Sequence, residues 1–392
     1  MHAIPRGLRL SGDFFFLSQP ARATILLMLG DRVFNARMRK IATLALVLVA
    51  CGGAEASKPA ESPPPPPPAA APVEAPAPGA SASAAPATPA PAPAINALQT
   101  VRDFMAGFNQ QDAVKYAGAY AADGKIVTPG MPDVTGNAGI QNEHQRLLEG
   151  FPDTRMSAAR VFSVGDVAVV EWVLSATQQN DWMGVKAANK QVGVRGLSVM
   201  SLNADGAIVK ESRYYDVATM LGQLGGMKGK WRSPPLAPAA PRSMPATGST
   251  TESANVEVVK KFYGALAGKS EADFLAAQQD DVELDDLRRS ESYVGTVETR
   301  SLFSTWTKSV PDIKVQIASA WGFGDFVVVE TVTTGKQSGA IDGVPASNRP
   351  ITLHTASVMQ LKGGKIFKGW TYGNGLELQV QAGLYKLPAV RK

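Results

Sequence analysis

Between residues 95 and 231 the apolar positions change period once, from about 3.6 to 2, and between 253 and 392 they do so again. Ile95, Leu98, Val101, Met105 and Phe108 recur at three- and four-residue spacing and predict an amphipathic helix. Val256, Val259, Tyr263 and Leu266 repeat that pattern after Ser253. A second short helix is expected from Asp112 and from Ser270, where Ser270-Glu271-Ala272-Asp273 resembles a capping box. A third is expected over 137–150 and over 296–309, stopped by Pro152 and Pro311. Alternation then predicts four strands per half. They cover 155–163, 166–176, 190–202 and 207–217, then 313–321, 325–334, 349–361 and 365–373. Asn203-Ala204-Asp205-Gly206 and Lys362-Gly363-Gly364-Lys365 supply the hairpin turns. Three helices followed by long strands predict an α+β unit, a curved antiparallel sheet with helices on its concave side.

The two halves are copies. Laid without a gap, residues 151–203 and 310–362 are identical at 18 of 53 positions. The shared residues include Pro152-Asp153 and Pro311-Asp312, Gly165-Asp166 and Gly324-Asp325, Val169-Val170-Glu171 and Val328-Val329-Glu330, and Ser198-Val199-Met200 and Ser357-Val358-Met359. Two copies of more than about 130 residues are duplicated domains and not solenoid repeats. The expected boundaries are 95–231 for the first domain, 232–252 for a Pro/Ser/Thr-rich linker and 253–392 for the second.

The residues ahead of the domains change the charge argument. Met38-Arg39-Lys40 and the apolar run Ile41 to Val49 read as a signal peptide over 38–50, and Leu48-Val49-Ala50-Cys51 resembles a bacterial lipobox with Cys51 as the lipidated residue. Residues 1–37 read as an upstream extension from a mis-assigned start. Residues 51–94 read as the lipidated cysteine and a Pro/Ala-rich disordered tether, reaching at most roughly 100 Å at about 3 Å per residue. The apolar run is too short to span a bilayer as a helix. The chain holds 39 Lys+Arg against 34 Asp+Glu; residues 1–50 carry seven and two of these, which leaves 32 of each from Cys51 onward. The basic balance belongs to the leader, so no nucleic-acid footprint is expected. One cysteine excludes disulfides, and His144 and His354, alone after the leader, exclude a His-rich metal site. Neither a metal nor a cofactor is expected.

The order of elements, the Pro-Asp, Gly-Asp-x-Val-Val and Ser-Val-Met segments, and the closing Tyr214-Tyr215-Asp216…Leu221-Gly222-Gln223-Leu224-Gly225 together resemble the SnoaL-like branch of the nuclear-transport-factor-2-like superfamily. The second copy closes with a degraded form, Tyr372-Gly373-Asn374…Val380-Gln381-Ala382-Gly383. The resemblance implies two tandem cone-shaped domains of cystatin-like architecture, each admitting a small apolar ligand. It also implies proton-transfer chemistry of the polyketide-cyclase and ketosteroid-isomerase kind, in which an apolar cone raises a carboxylate's pKa; the isomerase is the standard example of that logic. The position matching the base of the cyclases is Asp216. Alternation puts Tyr214 on its face, so Tyr214 or Arg195 could stabilise negative charge; the competing reading is that Asp216 caps the next turn and Tyr214 fills the core. Asn374 cannot take a proton in the second copy, where Tyr372 remains. His354 matches Arg195 and reads as an acid or base, or as a satisfied structural histidine. His144 reads as part of an exposed helix face. Glu171 and Glu330, acids kept in an apolar strand through the duplication, read as cone-lining groups or as partners of a base such as Arg195. Trp172, Trp182, Trp321 and Trp370 read as core or cone walls.

The expected protein is therefore an envelope lipoprotein held through Cys51, on the outer membrane or in the periplasm of a Gram-negative bacterium. Its two domains would bind a small apolar molecule or an envelope protein without catalysis. The alternative is an isomerase or cyclase using Asp216 as base in the first domain. The two domains could also pair with each other as an intramolecular pseudo-dimer.

Overall fold

A computed structural model describes residues 96–388. The upstream extension, the signal segment, Cys51 and the tether lie outside the described residues. Each half begins with α1 (Ala97–Asn109) or α5 (Thr250–Gly268), then α2 (Ala113–Ala117) or α6 (Glu271–Ala276). Next come β1 (Tyr120–Val127) and β2 (Val134–Thr135), or β8 (Gln278–Asp286) and β9 (Tyr293–Val294), and then α3 (Gly136–Gly150) or α7 (Gly295–Ser309). Four long strands follow: β3 (Arg155–Val164), β4 (Val167–Thr177), β5 (Gln191–Leu202) and β6 (Ile208–Tyr215), or β10 (Lys314–Phe323), β11 (Phe326–Lys336), β12 (Pro350–Lys362) and β13 (Lys365–Gly373). Each half closes with a short helix, α4 (Val217–Leu224) or α8 (Gly375–Gln381). β7 (Arg242–Pro245), inside the stretch read as linker, pairs with β3 as a further edge strand.

The strand orders are β2-β1-β6-β5-β4-β3-β7 and β10-β11-β12-β13-β8-β9. The fold is α+β, with two curved, mostly antiparallel sheets. β1 and β8 are the part that alternation missed, and they run parallel to β6 and β13. Their sequences, YAADGKIV and QQDDVELDD, are too polar to announce a strand. The β3–β4 and β10–β11 hairpins turn at Gly165 (φ 54°) and Gly324 (φ 58°), the same left-handed position in both copies. The capping box is at Ser249 and Glu252, which open α5; Ser270 opens α6 by accepting from the Asp273 N–H.

Both faces of the central strands are buried. On the concave face of the first sheet Val170, Trp172, Leu174, Val194 and Met200 pack against Phe104, Phe108 and Tyr116 of the helices. In the second sheet Val327, Val329 and Met359 pack against Phe262, Phe274 and Phe303. The convex faces meet each other. Phe162, Val169, Leu197 and Val199 of one sheet and Phe323, Phe326, Val328 and Val358 of the other form a single apolar layer. Each strand is thus apolar on both sides, which removes the usual polar-out marker of orientation.

Candidate functional site

The convex layer, not the cone, receives most of the residues singled out above. Along β4 and β5, Val170, Trp172 and Ser198 face the helices, so Glu171 and Arg195 face the other sheet. Along β6 the cone takes Glu211 and Arg213, and the opposite face takes Tyr214. The Tyr214 hydroxyl donates to Glu330 Oε1 at 2.8 Å, across the domains. Tyr372 donates to Glu171 in the same way, so the contact is reciprocal about a pseudo-twofold axis. Glu171, 2 % exposed, is also held by Arg160 through both carboxylate oxygens. Its basic partner is therefore Arg160. Arg195 instead makes long contacts, 3.4 Å each, to Asp285 and to the Tyr372 hydroxyl.

Asp216 and Asn374 form a second reciprocal pair. Asp216 caps α4 by accepting from Ala218 N (3.2 Å), Thr219 N (3.1 Å) and Thr219 Oγ1 (2.5 Å), and it accepts from Gly375 N of the other domain at 2.8 Å. Asn374 caps α8 through Leu376 N and accepts from Val217 N at 3.2 Å. Burial pushes the Asp216 carboxyl up to about 6, against the lowering effect of those hydrogen bonds. Four donors occupy its oxygens, so Asp216 holds the two closing helices together and has no lone pair aimed into the cone. Asp216 and Arg195 do line a crevice of about 250 Å³ beside Arg232 and Leu287. His354 is half-buried on the convex side, bonded to Glu377 through Nδ1 at 2.7 Å; that hydrogen bond raises its pKa. Of the proposed pocket residues, Trp172 alone faces a cone. Trp321 and Trp370 border the convex layer, and Trp182 packs on Phe151.

The first cone is filled. Glu211, fully buried, accepts from Tyr120 (2.5 Å), Ser198 (2.5 Å) and Arg213, which reaches it through Nε at 3.1 Å and Nη2 at 2.7 Å. Arg213 also donates to Tyr116 (2.6 Å) and Glu143 (3.2 Å), and Trp172 Nε1 donates to Ser198 at 2.9 Å. Burial alone would raise the Glu211 pKa, but Arg213 and the hydroxyl donors hold it below the ordinary carboxylate value. His144 is buried, at 1 % exposure, and not on an exposed helix face: it stacks on Tyr116 at 4.3 Å. Burial, and then the Arg213 charge, lower its pKa to about 4, and its Nε2 has no partner among the described residues. The amphipathic pattern of α3 gave no warning, because a histidine counts as polar in it.

The second cone is hollow. A cavity of about 90 Å³ lies between Phe262, Phe274, Trp306 and Met359 on the apolar side and Tyr263, Asp286, Arg288, Thr331, Thr355 and Thr371 on the polar side. The difference follows the register. Trp172 pairs with Gly196 where Thr331 pairs with Thr355, and Glu211 pairs with Met200 where Gly369 pairs with Met359. Arg213 corresponds likewise to Thr371, and Tyr215 to Gly373. A Cβ on Gly196 would lie 2.2 Å from the Trp172 ring, so the large indole requires the glycine beneath it. The polar floor is a set of hydroxyls: Tyr263 donates to Ser357 at 2.9 Å, Ser357 contacts Thr371 at 3.0 Å and Thr331 contacts Thr355 at 2.8 Å. Asp286 accepts from Arg288 Nε (2.9 Å), Nη2 (2.5 Å) and N (3.1 Å), and that guanidinium lowers its pKa despite burial. Sequence reasoning missed this set because β8 was not read as a strand; Asp286-Leu287-Arg288 at a strand end, facing Thr331, Thr355 and Thr371 by parity, was the available signal. Among the described residues no group of His, Cys, Asp or Glu is placed to hold a metal ion.

The family profile of the SnoaL-like polyketide cyclases matches residues 98–224 and 257–382, one copy in each half. Solved structures with the same fold each cover about one domain. A candidate SnoaL-like polyketide cyclase from Jannaschia sp. CCS1 is 19% identical over 35% of this chain and 97% of its own, with a TM-score of 0.33. IdmH, a candidate polyketide cyclase from Streptomyces antibioticus, is 25% identical over 33% and 99%, with a TM-score of 0.31. An LEH-like epoxide hydrolase from M. tuberculosis is 16% identical over 33% and 90%, with a TM-score of 0.29. No curated protein matches the chain.

Proposed function

The chain belongs to the SnoaL-like polyketide cyclase family in both of its domains, and from that premise we propose that it binds a small apolar molecule in its second cone. The first cone serves as the scaffold on which the second is mounted. The observation that carries this reading is the exchange of Trp172, Glu211, Arg213 and Tyr215 for Thr331, Gly369, Thr371 and Gly373 at matching sheet positions. One copy spends the cone on side chains and the other leaves it open. Native mass spectrometry and ligand-observed NMR on the full-length protein test it. A small hydrocarbon probe should bind once per chain, and Thr331→Trp should abolish that binding; a probe that binds equally well to the variant overturns the reading.

A second reading has its own support: Asp286 is a carboxylate in the open cone, as proton-transfer chemistry of the family's cyclases would require. Its Arg288 partner keeps it ionised and weakly basic, which favours binding over catalysis. The earlier alternative, Asp216 as base, has the weaker geometry, since its oxygens are occupied by cap donors. We further propose that the domains act as one pseudo-dimer, supported by the reciprocal Tyr–Glu and cap contacts; solution scattering from two separated beads would overturn this. The Cys51 lipobox pattern supports an envelope lipoprotein whose tether holds the pair off a membrane, and incorporation of a fatty-acid label that persists in Cys51→Ser would sink that part.

A further inference from the structure

We propose that the ligand of the second cone is a short-chain monocarboxylate, its apolar end among Phe262, Phe274 and Trp306 and its carboxylate against Arg288. This rests on the reading of the second cone as the binding site and adds the chemical class of what it binds.

The argument is one of hydrogen-bond inventory. Asp286 is the cone's carboxylate, and its lone pairs are engaged by Arg288 N, Nε and Nη2. Arg288 retains Nη1, which has no hydrogen-bond partner among the described residues, and the guanidinium carries further N–H donors than those it uses. The hydroxyls are also left with donors to spare. Thr331 and Thr355 bond to each other, so one of the two O–H groups remains undirected. In the chain Tyr263 to Ser357 to Thr371, the last hydroxyl hydrogen is likewise free. The hydroxyl oxygens keep lone pairs as well as these hydrogens, so they can serve a donor or an acceptor; among the described residues, the one charged group of the open cone with an unmatched hydrogen-bonding atom is Arg288, through Nη1. The ligand head that answers it is an acceptor, and a carboxylate accepts most strongly from a guanidinium.

Charge outside the cone favours an anion over a neutral carbonyl. Arg288 borders both the cone and an outer cleft lined by Lys228, Lys230, Arg289 and Asp342. Asp342 is the acid there, and Arg289 takes it at 2.7 Å. The cleft therefore stays net positive and raises the local concentration of anions at its floor. Both domains wall this cleft: Lys228, Lys230 and Trp231 come from the end of the first, Trp231 packing on Gly222, and Arg232 next to it ties that wall to the second by donating to Asp285 and to the backbone oxygens of Asp286 and Arg289. Size sets the tail. An apolar cavity of roughly 150 Å³ accepts benzene; one of about 90 Å³ has room for about four carbons.

The test uses the full-length protein with valerate, methyl valerate and cyclopentane as probes, read by calorimetry and ligand-observed NMR. Valerate should bind at least about tenfold more tightly than the ester, since one charge-assisted pair is worth about that much. Arg288→Met should remove that preference and leave cyclopentane binding in place. Because Arg288→Met strands Asp286 without its partner, Asp286→Asn with Arg288→Met removes both ends of the pair and should give the same loss of preference in a protein that still folds. Cyclopentane binding without valerate binding overturns the carboxylate and leaves the second cone as a binding site. Equal binding of ester and acid overturns the anionic head. No binding of any probe overturns both readings together.

Discussion

The two cones differ less in fold than in what fills them. Strand order, helix order and register repeat from one to the other, down to the left-handed turn at Gly165 and Gly324. What changes is a small set of coordinated positions. Trp172 over Gly196 becomes Thr331 beside Thr355, and the Glu211–Arg213 pair becomes Gly369 and Thr371. His144 gives way to Phe303 on the matching helix position. Tyr215, tilted against Trp172 in the first domain, is matched by Gly373 in the second, where Arg288 takes up the space, with its Cδ 3.3 Å from where a Cβ would stand. A duplicated domain can thus keep its frame and lose or gain a cavity through a few paired substitutions. The filled copy is constrained by the hydrogen-bonded network around Glu211 and Arg213; the open copy keeps hydroxyl and guanidinium donors without the filling.

The sharpest way to break this comparison is to cut the network of the filled cone. Arg213→Ala leaves Glu211 buried with no counter-charge and should cost about 3–5 kcal/mol. Urea unfolding followed by far-UV circular dichroism measures it. A loss below about 1 kcal/mol would mean that the first cone does not depend on this pair and that its closure has another cause.

The closing caps come next in size, through pH. Asp216 titrates near 6 in the fold against an ordinary 3.8, so the folded protein prefers its protonated form. Stability from this group is therefore present below about pH 4 and lost as pH rises through 6. At about 1.36 kcal/mol per unit this amounts to at most about 3 kcal/mol. Asp216→Asn copies the cap already present at Asn374 and should flatten stability across that window without loss at pH 7. His144 pulls the other way, since its lowered pKa favours the neutral fold above 6.5 and weakens it as pH falls toward 4. The comparison is therefore made between proteins that both carry His144. An unchanged profile in Asp216→Asn would show that the carboxylate is better solvated than its burial suggests.

The long strands, the third helices and the duplication were legible because each is written in apolar spacing. The face of each strand was not. Lys210, Ser212, Tyr214 and Asp216 do share a face, as alternation required, whereas an irregularity between Ile208 and Lys210 turns Ile208 into the first-cone core; alternation cannot say which face is which when both sides of a sheet are covered. Glu171 and Glu330 read as cone-lining groups or as partners of a base, and Tyr214 and Tyr372 as cone or core residues; all four stand in the layer between sheets, where Glu171 does pair with a base, Arg160 rather than Arg195. A tyrosine and a glutamate retained together in both copies are explained by a reciprocal contact, a relation between domains that no single-domain pattern carries. His144, read as exposed, and Asp286, not singled out, go wrong for the opposite reason: they face the cones from elements whose polarity hid their burial.

Filling the open cone on the pattern of the filled one has a smaller effect on stability and a decisive one on binding. Thr331→Trp with Thr355→Gly transplants the indole together with the glycine it needs. Overpacking should cost about 1–3 kcal/mol, because the surrounding residues have not adjusted. Binding of a cone ligand should fall at least about a hundredfold, as read by calorimetry. Retained affinity would place the ligand elsewhere, for instance in the crevice beside Arg195 and Asp216.

The smallest effect distinguishes the two halves of the interdomain contact. Tyr214→Phe and Tyr372→Phe each remove one hydroxyl donor from a glutamate of the other domain, and a hydrogen bond of that kind is worth about 0.5–1.5 kcal/mol. The two should not be equal. Glu330 is half-buried, so water can replace the lost hydroxyl. Glu171 is buried and keeps only Arg160, so its vacated lone pair stays dry. Tyr372→Phe should therefore be the more destabilising, by a few tenths of a kcal/mol. If Tyr214→Phe costs more, the Arg160 pair already satisfies Glu171, and the interdomain hydrogen bond that matters is the one without a guanidinium beside it.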